Sequence, residues 1–162
     1  MSHTHIQLAQ RVGCALFDRN WQITTAESCT GGGIAHAITA VAGSSKWFNT
    51  GYVTYANHAK SATLGVSSAL ICDHGAVSKE VASAMARGAL IQAGADISVA
   101  VTGIAGPEGG TEQKPVGTVW FAWATASGVI CRCEQFDGDR EAVRDQTIAT
   151  ALQGVLTILG NE

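Results

Sequence analysis

The sequence predicts an α/β protein: a three-layer α/β/α domain with a mixed, mostly parallel sheet. Three observations predict it. Early in the chain, short β-branched or apolar runs alternate with segments of helical periodicity, as in a parallel sheet wrapped by helices. One run, Ile97 to Thr102, is apolar at nearly every position, which suits a central strand buried on both faces. Two later runs flank Ser127-Gly128 and read as a hairpin, which adds antiparallel pairing.

Taken in order, Leu8, Ala9, Val12, Ala15 and Leu16 recur at helical spacing, so residues 6–18 read as an amphipathic helix. Gln22 to Ala26 is a short β-branched run and reads as a strand. Gly31, Gly32 and Gly33 open a second helix that runs to about Thr39, and Gly43-Ser44-Ser45 is a turn. Asn49 to Tyr55 reads as the next strand and Asn57 to about Leu64 as a short helix. Residues 79–93 form another helix, with Val81, Ala84, Met85 and Ala89 on one face. After the central strand, a glycine-rich loop from Gly103 to Gly117 holds both prolines. The hairpin strands are Val119 to Trp123 and Val129 to Phe136. Asp139 is placed to cap the last helix, whose inner face carries Val143, Ile148, Ala151, Leu152, Val155 and Leu159. No repeat or linker divides the chain, so residues 1–162 read as one domain.

Composition narrows the function. Hydrophobic residues make up 46% and charged residues 14%, a thin polar coat that favours self-association, a dimer first. The formal net charge is −3 and no Lys/Arg cluster appears, which argues against nucleic acid as a partner. The longest strongly apolar run, about Val119 to Ala124, is far short of a membrane span. The N-terminus lacks the pattern of a signal peptide, so a cytoplasmic protein is expected. The five cysteines, Cys14, Cys29, Cys72, Cys131 and Cys133, are odd in number and scattered, as free thiols in a reducing compartment would be. No spacing suggests a metal site, and no cofactor is expected.

Three segments can carry chemistry. Thr24 to Gly33 joins a strand to a helix, and Ser28, Cys29 and Thr30 sit at that junction. Open α/β sheets bind ligands beyond such strand ends, and free N–H groups there can stabilise an oxyanion. Ser28 as a nucleophile and Ser28 or Thr30 as an ordinary N-cap are both open readings. The segment lacks the Gly-x-Ser-x-Gly elbow, since Ala26 and Thr30 occupy the flanking positions. Cys29 is a rival nucleophile, because a thiol at a helix N-terminus can have a lowered pKa. The second segment, Gly51 to Lys60, sets Tyr55 at a strand end and Lys60 early in the next helix. A lysine serves as a base if desolvation lowers its pKa; otherwise it is a solvated surface group. The third, Thr102 to Gly110 with Lys114 to Gly117, follows the most buried strand and either offers backbone N–H groups to a ligand or is a structural loop. Arg140 and Arg144 flank the start of the last helix; a solvated face or a phosphate contact suits them.

Together these segments resemble the C-terminal-domain family of CinA, the nicotinamide-nucleotide amidases. The resemblance rests on Thr25 to Gly32, Gly51 to Lys60, Gly103-Ile104-Ala105-Gly106-Pro107, Lys114 to Val119 and Gly138-Asp139-Arg140, in register from about residue 6 to 158. It implies hydrolysis of the carboxamide of nicotinamide mononucleotide to the acid, with release of ammonia. By that pattern Ser28 is similar to the family's nucleophile, Lys60 to its base and Tyr55 to the assisting hydroxyl; a Tyr55 hydrogen bond to Lys60 or Ser28 is the expected form of that assistance. It also implies a substrate surface built from Cys29, Thr30, Gly31, Gly32, Asn57, Thr102, Gly103, Ala105 and Gly106, with Arg140 a candidate for the phosphate. No metal and no organic cofactor is implied. The other class of function consistent with the sequence is a catalytically silent nucleotide-binding or regulatory module of the same fold.

Overall fold

The computed structural model describes residues 1–160. Helix α1 (His3–Arg19) starts at Ser2, whose hydroxyl accepts from the His5 N–H, and it buries the face expected from the sequence: Leu8, Ala9, Val12, Ala15 and Leu16. Then come β1 (Ile23–Glu27), α2 (Gly33–Thr39), a 3-10 turn (Ser44–Lys46), β2 (Phe48–Val53) and α3 (Asn57–Leu64). The second half holds α4 (Ser68–His74), α5 (Lys79–Ala93), β3 (Ile97–Gly103), β4 (Thr118–Thr125), β5 (Gly128–Gln135) and α6 (Arg140–Ile158). Asp139 caps α6 as expected, its carboxylate accepting from the Ala142 N–H at 2.9 Å.

The sheet order is β2-β1-β3-β4-β5. β1 pairs in parallel with β2 and β3, whereas β4 pairs antiparallel with β3 and β5. Among the described strands only β4 is therefore reversed. β5 returns the chain to the edge where β1, β2 and β3 end, and α6 starts there.

Each face of the sheet has its own core, which makes three layers. On one face Leu16, Ile34, Ile38 and Leu152 from α1, α2 and α6 cover Val99, Val101 and Phe121. On the other, Leu64, Ile71, Val81 and Met85 from α3, α4 and α5 cover Ala26, Ala100, Ala122 and Ala124. The alanine surface lets α5 lie close: the Ser98 hydroxyl donates to the Ala86 carbonyl at 2.7 Å. A Cβ on Gly88 would fall 2.0 Å from the Leu64 carbonyl oxygen, so this glycine lets α5 meet the end of α3. That contact seats the helix that carries Lys60.

Two elements depart from the sequence reading. Helix α4 has only 7 residues, too few to show a period, and its start is marked only by Ser67, whose hydroxyl accepts from the Leu70 N–H. β2 stops at Val53 rather than Tyr55 because the chain turns away after one last bond, from the Thr54 N–H to the Glu27 carbonyl at 2.9 Å.

Candidate active site

The ends of β1, β2 and β3 and the start of α6 meet at one edge of the sheet and enclose a cleft of about 280 Å³. Ser28, Cys29, Tyr55, Asn57, Lys60, Thr102, Gly103, Ala105, Gly106 and Arg140 line it. The first strand supplies Ser28, which leaves the sheet immediately after Glu27; its N–H donates to the Val101 carbonyl at 3.1 Å, which moors the turn to β3.

Lys60 is not a surface lysine: it is 1% exposed. Its Nζ donates to Ser28 Oγ at 2.9 Å, to the Thr54 carbonyl at 2.8 Å and to the Tyr55 carbonyl at 3.1 Å. Among the described residues, neither ion pair involves Lys60, so no carboxylate holds its charge. Burial pushes its pKa down from the ordinary lysine value. The contact set suits both protonation states. An ammonium spends its three N–H groups on the two carbonyls and the serine oxygen. A neutral amine keeps two N–H groups on the carbonyls and turns its lone pair to the Ser28 hydroxyl, ready to take that proton.

Cys29 is 6% exposed, and burial drives its thiol pKa up to about 12, with the nearby Glu27 charge adding a smaller push. What separates the two neighbours is contact with the amine: Lys60 Nζ bonds Ser28 Oγ, and none of its three hydrogen bonds goes to Cys29. Among the described residues no histidine lines the cleft. Among the described residues no cluster of three or more His, Cys, Asp or Glu side chains is placed to hold a metal ion.

The profile of the CinA C-terminal domain matches residues 5–159. The chain belongs to this family. It is 59% identical over 155 residues to the nicotinamide-nucleotide amidohydrolase PncC of Pseudomonas putida, covering 96% of each chain. To the protein of the same name from Escherichia coli K12 it is 57% identical over 149 residues, covering 91% of this chain and 90% of that one. Among solved structures, a competence-damaged protein (CinA) superfamily protein from Klebsiella pneumoniae superposes with a TM-score of 0.94 at 42% identity, covering 99% of this chain and 100% of that one.

Within this CinA-type fold several residues differ in place from the sequence reading. The Tyr55 hydroxyl does not bond Lys60 or Ser28. It accepts from Arg140 Nη2 at 2.9 Å, and only the Tyr55 carbonyl reaches the lysine. The reason is the early end of β2: the chain swings out at Thr54, and the Tyr55 ring, 58% exposed, lies at the cleft mouth. Arg140 also donates from Nη1 to the Gly106 carbonyl at 2.8 Å, so it ties the third loop to the second. Thr30, Gly31 and Gly32 do not line the cleft. The positive φ of Gly31 (59°) and Gly32 (97°) turns the backbone away from it and into α2. Thr30 is buried behind the turn and donates to Glu27 Oε1 at 2.6 Å. Thr102 lines the cleft, and its hydroxyl donates to the Ala76 carbonyl at 2.9 Å.

The sequence reading gave no role to Glu27, Ala76, Val77, Ile104 or Glu108. The last four line the cleft, and Glu108 is its only acidic residue among those described. Glu27 was missed because the sequence reading ended its strand at Ala26, whereas β1 runs through Glu27 and is buried at every position. Larger grooves lie elsewhere, one of about 660 Å³ along α1 beside Leu156 and one of about 570 Å³ along the start of α6. The buried Lys60–Ser28 hydrogen bond lies in the smaller cleft.

Proposed function

We propose that the protein hydrolyses the carboxamide of nicotinamide mononucleotide to nicotinate mononucleotide and ammonia, with Ser28 as nucleophile and Lys60 as base. The observation that carries this reading is the buried, carboxylate-free Lys60 amine 2.9 Å from Ser28 Oγ. The substrate comes from the relatives, which are named nicotinamide-nucleotide amidohydrolase.

In this reading Lys60 enters as the neutral amine and takes the proton of Ser28 as Oγ attacks the carboxamide carbon. The oxygen of that carbon becomes an oxyanion. The N–H of Cys29, a residue that lines the cleft next to Ser28, is the donor this reading assigns to it. The Lys60 ammonium then passes its proton to the departing nitrogen, and ammonia leaves an acyl ester on Ser28. A water attacks that ester with Lys60 again the base, which releases the acid and restores the serine. Arg140 at the mouth is free to trade its Tyr55 contact for the substrate phosphate, and Tyr55 assists by holding Arg140 until then. One domain carries the whole activity, without metal or organic cofactor. The small share of charged residues supports a homodimer. No described helix is long and apolar enough to cross a membrane, and the bacterial relatives support a cytoplasmic place of action.

The test is ammonia release from nicotinamide mononucleotide, with the acid formed mole for mole. Binding of the nucleotide without turnover would contradict the amidase and leave a binding module.

A further inference from the structure

Glu27 is fully buried, and neither ion pair among the described residues involves it. Burying a carboxylate is costly unless donors replace its water. Here three do: the Thr30 hydroxyl at 2.6 Å and the Ile34 N–H at 2.8 Å meet Oε1, and the Ala35 N–H at 2.9 Å meets Oε2. The N-cap position of α2 is Gly32, which has no side chain to cap with, and its φ of 97° favours glycine there. Capping therefore comes from five positions earlier in the chain, across the turn that carries Ser28. The side chain of Glu27 closes residues 28–32 into a ring whose far end is α2.

The main chain of the same residue reaches the other partner. The Glu27 carbonyl accepts from the Thr54 N–H at 2.9 Å, and the Thr54 carbonyl accepts from Lys60 Nζ at 2.8 Å. Between the anchored ends of the ring, Ser28 and Cys29 face the cleft while Thr30 lies behind it. A serine or threonine cap would satisfy α2 as well, but it would not tie Thr30 back to the strand.

We infer that Glu27 is a positioning residue for the reaction proposed above: its carboxylate locks the Ser28–Gly32 turn, which keeps Ser28 Oγ on Lys60. The inference rests on that reading of Ser28 and Lys60. Glu27→Gln keeps the volume and one acceptor oxygen but turns an amide donor toward groups that themselves donate. A misplaced nucleophile lowers kcat on the order of 10²-fold while KM stays within about threefold, because substrate contacts elsewhere persist. Thr30→Val removes one tether without touching the carboxylate and lowers kcat in the same direction by about tenfold.

The experiment measures kcat and KM for wild type, Glu27→Gln and Thr30→Val, with hydrogen exchange followed over residues 28–35 and over α5. The expected result is a fall in kcat at steady KM, with faster exchange at 28–35 and unchanged exchange in α5. Wild-type kcat in either variant overturns the inference, as does a loss explained by a smaller folded fraction with KM and kcat per folded molecule unchanged. If Glu27→Gln does not fold, Thr30→Val decides. A wild type that releases no ammonia sinks the proposed reaction instead, and the exchange at 28–35 then decides alone whether Glu27 holds the turn.

Discussion

At the edge where β1, β2, β3 and β5 end, polar groups are buried: Glu27, Ser28, Lys60 and Thr102 are all under a tenth exposed. At the opposite edge, where those strands begin, the polar contacts face water. Gln22 donates from its N–H to Asp96 Oδ2 at 2.8 Å and from Nε2 to the Lys46 carbonyl at 2.8 Å, both at exposed positions. The β4–β5 turn at that edge is also open, around Ser127. The strands are the same ones, so composition does not explain the difference; connectivity does. Parallel strands deliver all their outgoing turns to one edge, and the reversal of β4 lets β5 bring α6 there too. Four chain segments crowd together, exclude water and satisfy one another's polar groups. At the far edge the segments that lead into β1 and β3 meet through exposed hydrogen bonds instead.

This contrast can be broken by substitutions at each edge. The largest effect is expected for Ser28→Ala, which removes the nucleophile and lowers turnover roughly 10³-fold or more with the fold intact. Steady-state ammonia release and a thermal melt check both halves of that statement. Cys29→Ala, one residue away, keeps most of the activity, since its buried thiol stays protonated. The reverse pattern would move the nucleophile to Cys29. The smallest effect belongs to the far edge: Asp96→Ala deletes a water-facing bond, lowers stability by at most about 1 kcal/mol and leaves turnover unchanged. A loss of activity there, measured beside a chemical melt, would mean the two edges are coupled.

The layered fold was legible because it depends on periodicity. The nearly unbroken apolar run that marks β3 and the apolar stripe of α6 survive in one dimension. The residues proposed for the site were read from strand-end positions and family resemblance; ten of them, Ser28, Lys60 and Arg140 included, line one cleft, while Thr30, Gly31 and Gly32 do not. The burial of Lys60 brings its amine onto Ser28, Thr54 and Tyr55, contacts between separate segments that no local pattern announces. Tyr55 was assigned to the wrong partner because two residues of strand length decide where its ring points. Glu27 sat inside a quoted motif without a role, since its three donors lie 3 to 8 positions downstream and come together only when the turn closes.

The central claim is that a buried, neutral Lys60 takes the proton of Ser28, and the pH dependence of kcat/KM tests it most directly. Desolvation disfavours the ammonium and lowers the pKa in the folded protein. The neutral amine is the active form, so activity is lost as the pH falls through that lowered pKa and reaches a plateau above it. Wild type should show one such rise, at a pH below the ordinary lysine range. Lys60→Arg, which keeps the charge but cannot give up its proton, should be nearly inactive at every pH. A Lys60→Arg variant that turns over with the wild-type profile would contradict the account and place the base elsewhere.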